Sequence, residues 1–128
     1  SGRPLPAGSN GFRLGQVRLE YPIKKGSGQY EVIVGFADAM RPVVVVEFDV
    51  AIGKAVEYAR GAIFVEAKPK LKNPMETLRQ INVYRNFIRN IDALRKSEFL
   101  LWCPTIEEKS RTVFSSQGIF VSSAKVQE

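Results

Sequence analysis

The sequence predicts a mixed α/β domain in which one β-sheet carries a helix on one of its faces. Three observations lead there. The first half of the chain holds apolar or alternating runs rich in Val, Ile, Phe and Tyr, each bounded by Gly, Pro or Lys-Gly clusters. A longer stretch then shows helical spacing behind a capping signal. Two more short apolar runs follow it, so strands stand on both sides of a helix within 128 residues, a length that suits one hydrophobic core.

Residues 1–15 carry Pro4, Pro6, Gly8, Ser9, Asn10, Gly11 and Gly15. They are expected to form a flexible lead-in, leaving 16–128 as a single domain. Residues 16–23 alternate, with Val17, Leu19 and Tyr21 on one face and Arg18 and Glu20 on the other; this strand stops at Lys24-Lys25-Gly26-Ser27-Gly28. A second β-rich stretch covers 30–40, and Pro42 opens a third strand over 43–52. Residues 53–61 are expected to connect it to a fourth strand at 62–68. The helix is expected from Pro74 to about Leu94. Asn73 suits its N-cap, Pro74 its first turn, and Glu76 stands three residues after the cap. Leu78, Ile81, Tyr84, Ile88 and Ile91 form its core face, while Arg79, Asn82, Asn86 and Arg89 stay solvated. A strand at 99–102 ends at Pro104. A short polar helix or loop leads to the last strand, 118–122.

Composition removes several chemistries. Cys103 is the only cysteine and the chain has no histidine. That rules out an intramolecular disulfide, a cysteine/histidine zinc site and every histidine-based catalytic pair or triad. What remains is carboxylate, lysine, hydroxyl and oxygen-ligated metal chemistry. Cys103, Phe99 and Trp102 read as core. No apolar run is long enough for a membrane span, the longest being Val43-Val44-Val45-Val46, and no signal peptide is seen, so a cytoplasmic or nucleoid-associated protein is expected. The net charge of +6 suits a polyanionic partner.

The chemistry concentrates in three places. In Ile63-Phe64-Val65-Glu66-Ala67-Lys68, strand alternation puts Glu66 and Lys68 on one face. The carboxylate can hold a divalent cation and the ammonium can orient a water or stabilise phosphate charge; a plain surface ion pair is the alternative. In the preceding strand, Asp49 is an acid within an apolar run, which is costly unless it is paired or bound to metal. If the two strands pair across 53–61, Asp49 lies beside Glu66. On the helix, Gln80 and Tyr84 are four apart and share a face.

Asp49, then Glu66-Ala67-Lys68, then Gln80 and Tyr84, in that order, resembles the PD-(D/E)XK nuclease superfamily, in particular the group with a Q-x-x-x-Y helix motif. That group includes RecB-type helicase-nucleases and the N-terminal nuclease domains of type I restriction subunits. The resemblance covers roughly 43–122 and implies a restriction-endonuclease-like mixed sheet flanked by helices. It implies a Mg²⁺- or Mn²⁺-dependent deoxyribonuclease, the nuclease domain of a larger DNA-processing or defence protein. Asp49 and Glu66 would bind the metal, Lys68 would position the attacking water, and Gln80, counted with these three as catalytic, would contact with Tyr84 either the DNA strand or the Lys68 region. Lys70 and Lys72, in the following loop, could reach phosphates. A rival assignment takes Asp38, in Gly35-Phe36-Ala37-Asp38, as the metal ligand instead of Asp49. A catalytically inactive nucleic-acid-binding or interaction module on the same fold is the alternative function.

Overall fold

The computed structural model describes residues 11–26 and 28–125. The chain runs β1 (Gly11–Leu14), β2 (Arg18–Lys25), β3 (Val32–Asp49), β4 (Lys54–Ala67), α1 (Pro74–Arg89), β5 (Glu98–Trp102), α2 (Glu108–Ser116) and β6 (Phe120–Ser122). Among the described residues these strands make one six-stranded mixed sheet, ordered β1-β3-β4-β5-β6, with β2 also paired to β3. β3 is antiparallel to β1, β2 and β4, whereas β4–β5 and β5–β6 are parallel. Parallel neighbours need a crossover, and α1 and α2 supply the two. The expected mixed α/β class is therefore what the chain adopts. Among the described residues, no helix is long and apolar enough to cross a membrane.

Several boundaries differ from the sequence expectation. Residues 11–14 belong to the expected flexible lead-in, yet they pair with β3 from Leu14↔Val43 to Gly11↔Val46; residues 1–10 lie outside the described residues. The two stretches flanking Pro42 are one continuous strand. Pro42 sits where the β3–β4 register shifts, an irregularity that tolerates its missing N–H. The expected connection at 53–61 is mostly strand. Val56 and Tyr58 alternate with Glu57, and β4 begins at Lys54, opposite Asp49. The hairpin turn is built on Asp49 itself. Its carboxylate accepts from the Ala51 N–H at 2.9 Å, and its carbonyl from the Gly53 N–H at 2.8 Å. Gly53 has φ 67°, the left-handed geometry that such a turn asks of glycine.

α1 starts as its sequence implies. The Asn73 side chain accepts from the Glu76 N–H at 3.2 Å, and Pro74 occupies the first turn. It ends earlier than expected, at Arg89. Asn90 caps it, Ile91 turns extended, and Asp92–Leu94 forms a separate 3₁₀ turn. Leu78, Ile81, Tyr84 and Ile88 are buried as expected, but Ile91 is 46% exposed. This stripe packs with Ile23 of β2, Ala37 and Met40 of β3, Phe64 of β4, and Phe99 and Leu101 of β5. Phe64 stacks on Phe99, its parallel neighbour, with ring centroids 5.2 Å apart, and Tyr21 meets it edge-on at 5.6 Å. Phe114, Ile119 and Cys103 complete the cluster. Leu19, expected to share a face with Tyr21, is 76% exposed, because β2 is distorted between them: Glu20 has φ 50°.

Tyr84 lies directly on Gly35, where an added Cβ would come within 2.0 Å of the phenol oxygen and 2.5 Å of its ring carbon. Only a residue without a side chain lets the helix seat this close to β3. Gly35→Ala should lower the free energy of unfolding by roughly 2 kcal/mol, in the range of core overpacking. Chemical denaturation of both proteins measures it, and combining the change with Tyr84→Leu should cost less than the two single changes added.

Candidate active site

β3 and β4 run side by side up to the pair Ala39↔Val65. The next position on each strand brings Asp38 level with Glu66. Here Asp38 ties the two strands through its side chain, Oδ2 accepting from the Ala67 N–H at 2.7 Å. That bond uses one carboxylate oxygen on an exposed residue. Glu66 is 6% exposed, and its ladder neighbour on β5 is the fully buried Leu101. Two residues on, the Lys68 backbone N–H donates to the Trp102 carbonyl at 2.8 Å, which anchors the chain as it leaves the sheet. The Lys68 Nζ then stands 3.8 Å from Glu66 Oε2, with about a third of its side chain exposed.

This placement corrects the expectation for Asp49. Asp49 pairs with Lys54 at the hairpin tip, twelve residues along β4 from Glu66. At about 3.3 Å per residue the path along the strand is roughly 40 Å. It shares no site with Glu66, and its carboxylate serves the turn. The rival residue, Asp38, is the one that the hairpin register brings to Glu66. The clue in the sequence was the turn. Asp49 followed four residues later by Gly53, with alternation resuming at once, places the hairpin tip there.

Burial is the largest influence on Glu66 and raises its carboxyl from the usual 4.5 to about 7; the nearby Asp38 charge adds to this, and Lys68 opposes it. The paired acids therefore repel in a poorly solvated place, which a divalent cation would relieve. The donor set fits such an ion. Both groups are carboxylates, hard oxygen donors of the kind Mg²⁺ and Mn²⁺ take. Among the described residues no group of three or more His, Cys, Asp or Glu could hold a metal. Magnesium is commonly held by one or two carboxylates, with water and substrate phosphate completing its shell, so two suffice for that ion.

The helix presents the remaining expected residues. Gln80 Nε2 donates to the Tyr84 hydroxyl at 3.0 Å, so the four-residue spacing is a real contact. Gln80, Lys68, Lys70 and Lys72 line a single cavity of about 360 Å³ beside the start of α1. Tyr84 does not line it. A larger groove of about 920 Å³, walled by Tyr21, Phe87 and Ile91, lies between β2 and the far end of α1 and includes none of these site residues. The sequence reading missed Thr77 and Asn73, which line the lysine cavity; the capping pattern that located the helix start could have indicated both.

No family model, no curated protein and no solved structure matches this chain.

The raised carboxyl has a measurable consequence. Folded Glu66 holds its proton up to about pH 7, whereas an unfolded glutamate releases it near 4.5. The native state binds more protons across that window, so stability in chelator should fall as pH rises from about 4.5 to 7 and then level off. Glu66→Gln should remove this slope. Urea titrations of both proteins at stepped pH test it, and an unchanged slope in the variant would assign it to other groups.

Proposed function

We propose that this chain is a metal-dependent nuclease domain of the PD-(D/E)XK type that hydrolyses DNA phosphodiesters, with Asp38, Glu66 and Lys68 at its centre. The observation that supports it most is the coming together of Asp38 and Glu66 where β3 and β4 part, with the Lys68 ammonium 3.8 Å from Glu66. The order Asp38, Glu66-Ala67-Lys68, then Gln80 and Tyr84 keeps the pattern of that superfamily with Asp38 in place of Asp49. A restriction-endonuclease-like arrangement of the sheet belongs to the same reading.

Glu66 and the second oxygen of Asp38 would hold Mg²⁺ or Mn²⁺, which when bound supplies Lewis-acid neutralisation of phosphate charge and a more acidic water. Lys68 has two tasks. Its ammonium orients the attacking water on the side of Glu66, and it stabilises the negative charge that grows on the phosphate oxygens. Its Nζ faces Glu66 at 3.8 Å, and its part is that of a hydrogen-bond donor. Gln80, steadied by the Tyr84 hydroxyl, keeps a second amide N–H for the strand. No step calls for histidine or for a covalent intermediate, in keeping with the composition. The overall charge of +6 favours a DNA partner, and the domain would act within a larger DNA-processing or defence protein.

Incubating linear and circular DNA with the protein, with and without Mg²⁺ or Mn²⁺, tests the activity. Cleavage should need the metal and should vanish in Asp38→Ala and Glu66→Ala. Lys68→Ala should cut roughly a hundredfold more slowly while folding normally, as for loss of one electrostatic contributor. Asp49→Ala should cleave DNA at a rate close to wild type. DNA binding without cleavage under any of these metals would instead select the inactive binding module on the same fold.

A further inference from the structure

The cavity beside the candidate active site has features that the hydrolytic centre does not use. Lys70 and Lys72 line it together with Lys68. Neither Lys70 nor Lys72 has a carboxylate partner among the described residues, whereas Lys68 faces Glu66. The first turn of α1 forms another part of its wall, through Asn73, Glu76 and Thr77. The 16-residue helix turns the positive end of its dipole to this side, although Asn73 already takes the N–H groups of Glu76 and Thr77, so the lysines and the Thr77 hydroxyl are the donors left for a ligand. Glu76 is the one acid in the lining, and the Asn73 amide holds its carboxylate at 3.4 Å.

Thr77 is the independent indication. It is 8% exposed, lines the cavity, and its hydroxyl has no hydrogen-bond partner among the described residues. No fully enclosed side-chain oxygen or nitrogen lacks a partner among those residues. The hydroxyl oxygen is therefore open to solvent, on a residue that lines the cavity. A hydroxyl without a protein partner, on a residue 8% exposed that lines the cavity, is available to donate to a bound anion.

From these we infer that the cavity is a phosphate-binding subsite, in which Lys70, Lys72 and the Thr77 hydroxyl hold a phosphate group of the nucleic-acid strand next to the one that is cut. The inference rests on the proposed nuclease reading for the word "cut", but not for the binding itself. Its chemistry is that of one tetrahedral anion with two ammonium donors, a hydroxyl and a helix N-terminus around it. Lys68 joins the two places, since it lines the cavity and also reaches Glu66. The phosphate could be a strand terminus or an internal link, and the two differ in a measurable way.

The test is binding of short single-stranded oligonucleotides to the full chain in chelator, where no cleavage intervenes, read by fluorescence anisotropy. Each oligonucleotide is used with a 5′-phosphate, with a 3′-phosphate and with neither. Lys70→Ala/Lys72→Ala should weaken binding at least roughly tenfold, as for lost hydrogen bonds to a charged group. It should also flatten the dependence of affinity on salt. Thr77→Val, which keeps shape and removes the hydroxyl, should weaken competition by inorganic phosphate while thermal unfolding shows an intact fold. If a terminal phosphate strengthens binding in wild type but not in the lysine variant, the subsite takes strand ends. Equal losses for all three oligonucleotides assign it an internal phosphate. Wild-type affinity and salt dependence in the lysine variant overturn the subsite, even if the protein cleaves DNA. Lysine-dependent binding in a protein that never cleaves upholds the subsite and overturns the hydrolytic reading.

Discussion

The register of the β3–β4 ladder is the constraint from which the rest of the molecule follows. In an antiparallel pair a slip of one residue turns every side chain to the opposite face. Here the ladder is long, and its register is set at one end by the Asp49 turn with its bonds to Ala51 and Gly53. At the other end the Asp38 carboxylate fastens the Ala67 N–H. Between them the strands carry Phe64 and Met40 into the core as direct partners. The one-residue shift at Pro42 then sets Asp38 beside Glu66 and not beside Val65. Two aspartates at the two ends of one hairpin thus perform different work, one shaping a turn and one facing a second acid.

Around that hairpin the sheet changes character. On its β3 edge the neighbours are antiparallel and close in sequence; on its β4 edge they are parallel and arrive through helices. The candidate site lies where these regimes meet. The ends of parallel strands leave room above the sheet, and the start of α1 comes down into that room. This is why Lys68, the cavity lysines and Gln80 gather there although they span strand, loop and helix. Gly35 admits Tyr84 to the β3 surface, and Tyr84 in turn accepts a hydrogen bond from Gln80.

Much of this was legible in the residues. The Asn73-Pro74-Glu76 pattern located the start of α1, and the parity of Glu66 and Lys68 put them on one face because strand alternation is a local property. The α/β class followed from the order of the runs. What could not be read was pairing. Asp49 and Asp38 both sit in apolar β-rich stretches, and the position of the hairpin tip together with the register shift at Pro42 decides which one reaches Glu66. That tip was obscured because residues 54–60 mix Lys, Glu and Arg with Val and Tyr, as an exposed strand does, and so resemble a loop. The Thr77 hydroxyl was likewise beyond a linear reading, since its lack of a partner is a fact of three dimensions.

Glu66 has a consequence for how the sequence can drift. A buried carboxyl pressed against another acid makes the folded chain less stable than an uncharged residue of similar size would. Random substitution therefore finds an easy downhill path at this position, towards Gln or an aliphatic residue beside Leu101. Selection for thermal robustness alone would take that path, and a proposed ligand of the carboxylate would oppose it. Position 66 is a place where a tougher fold and an ionisable site pull in opposite directions.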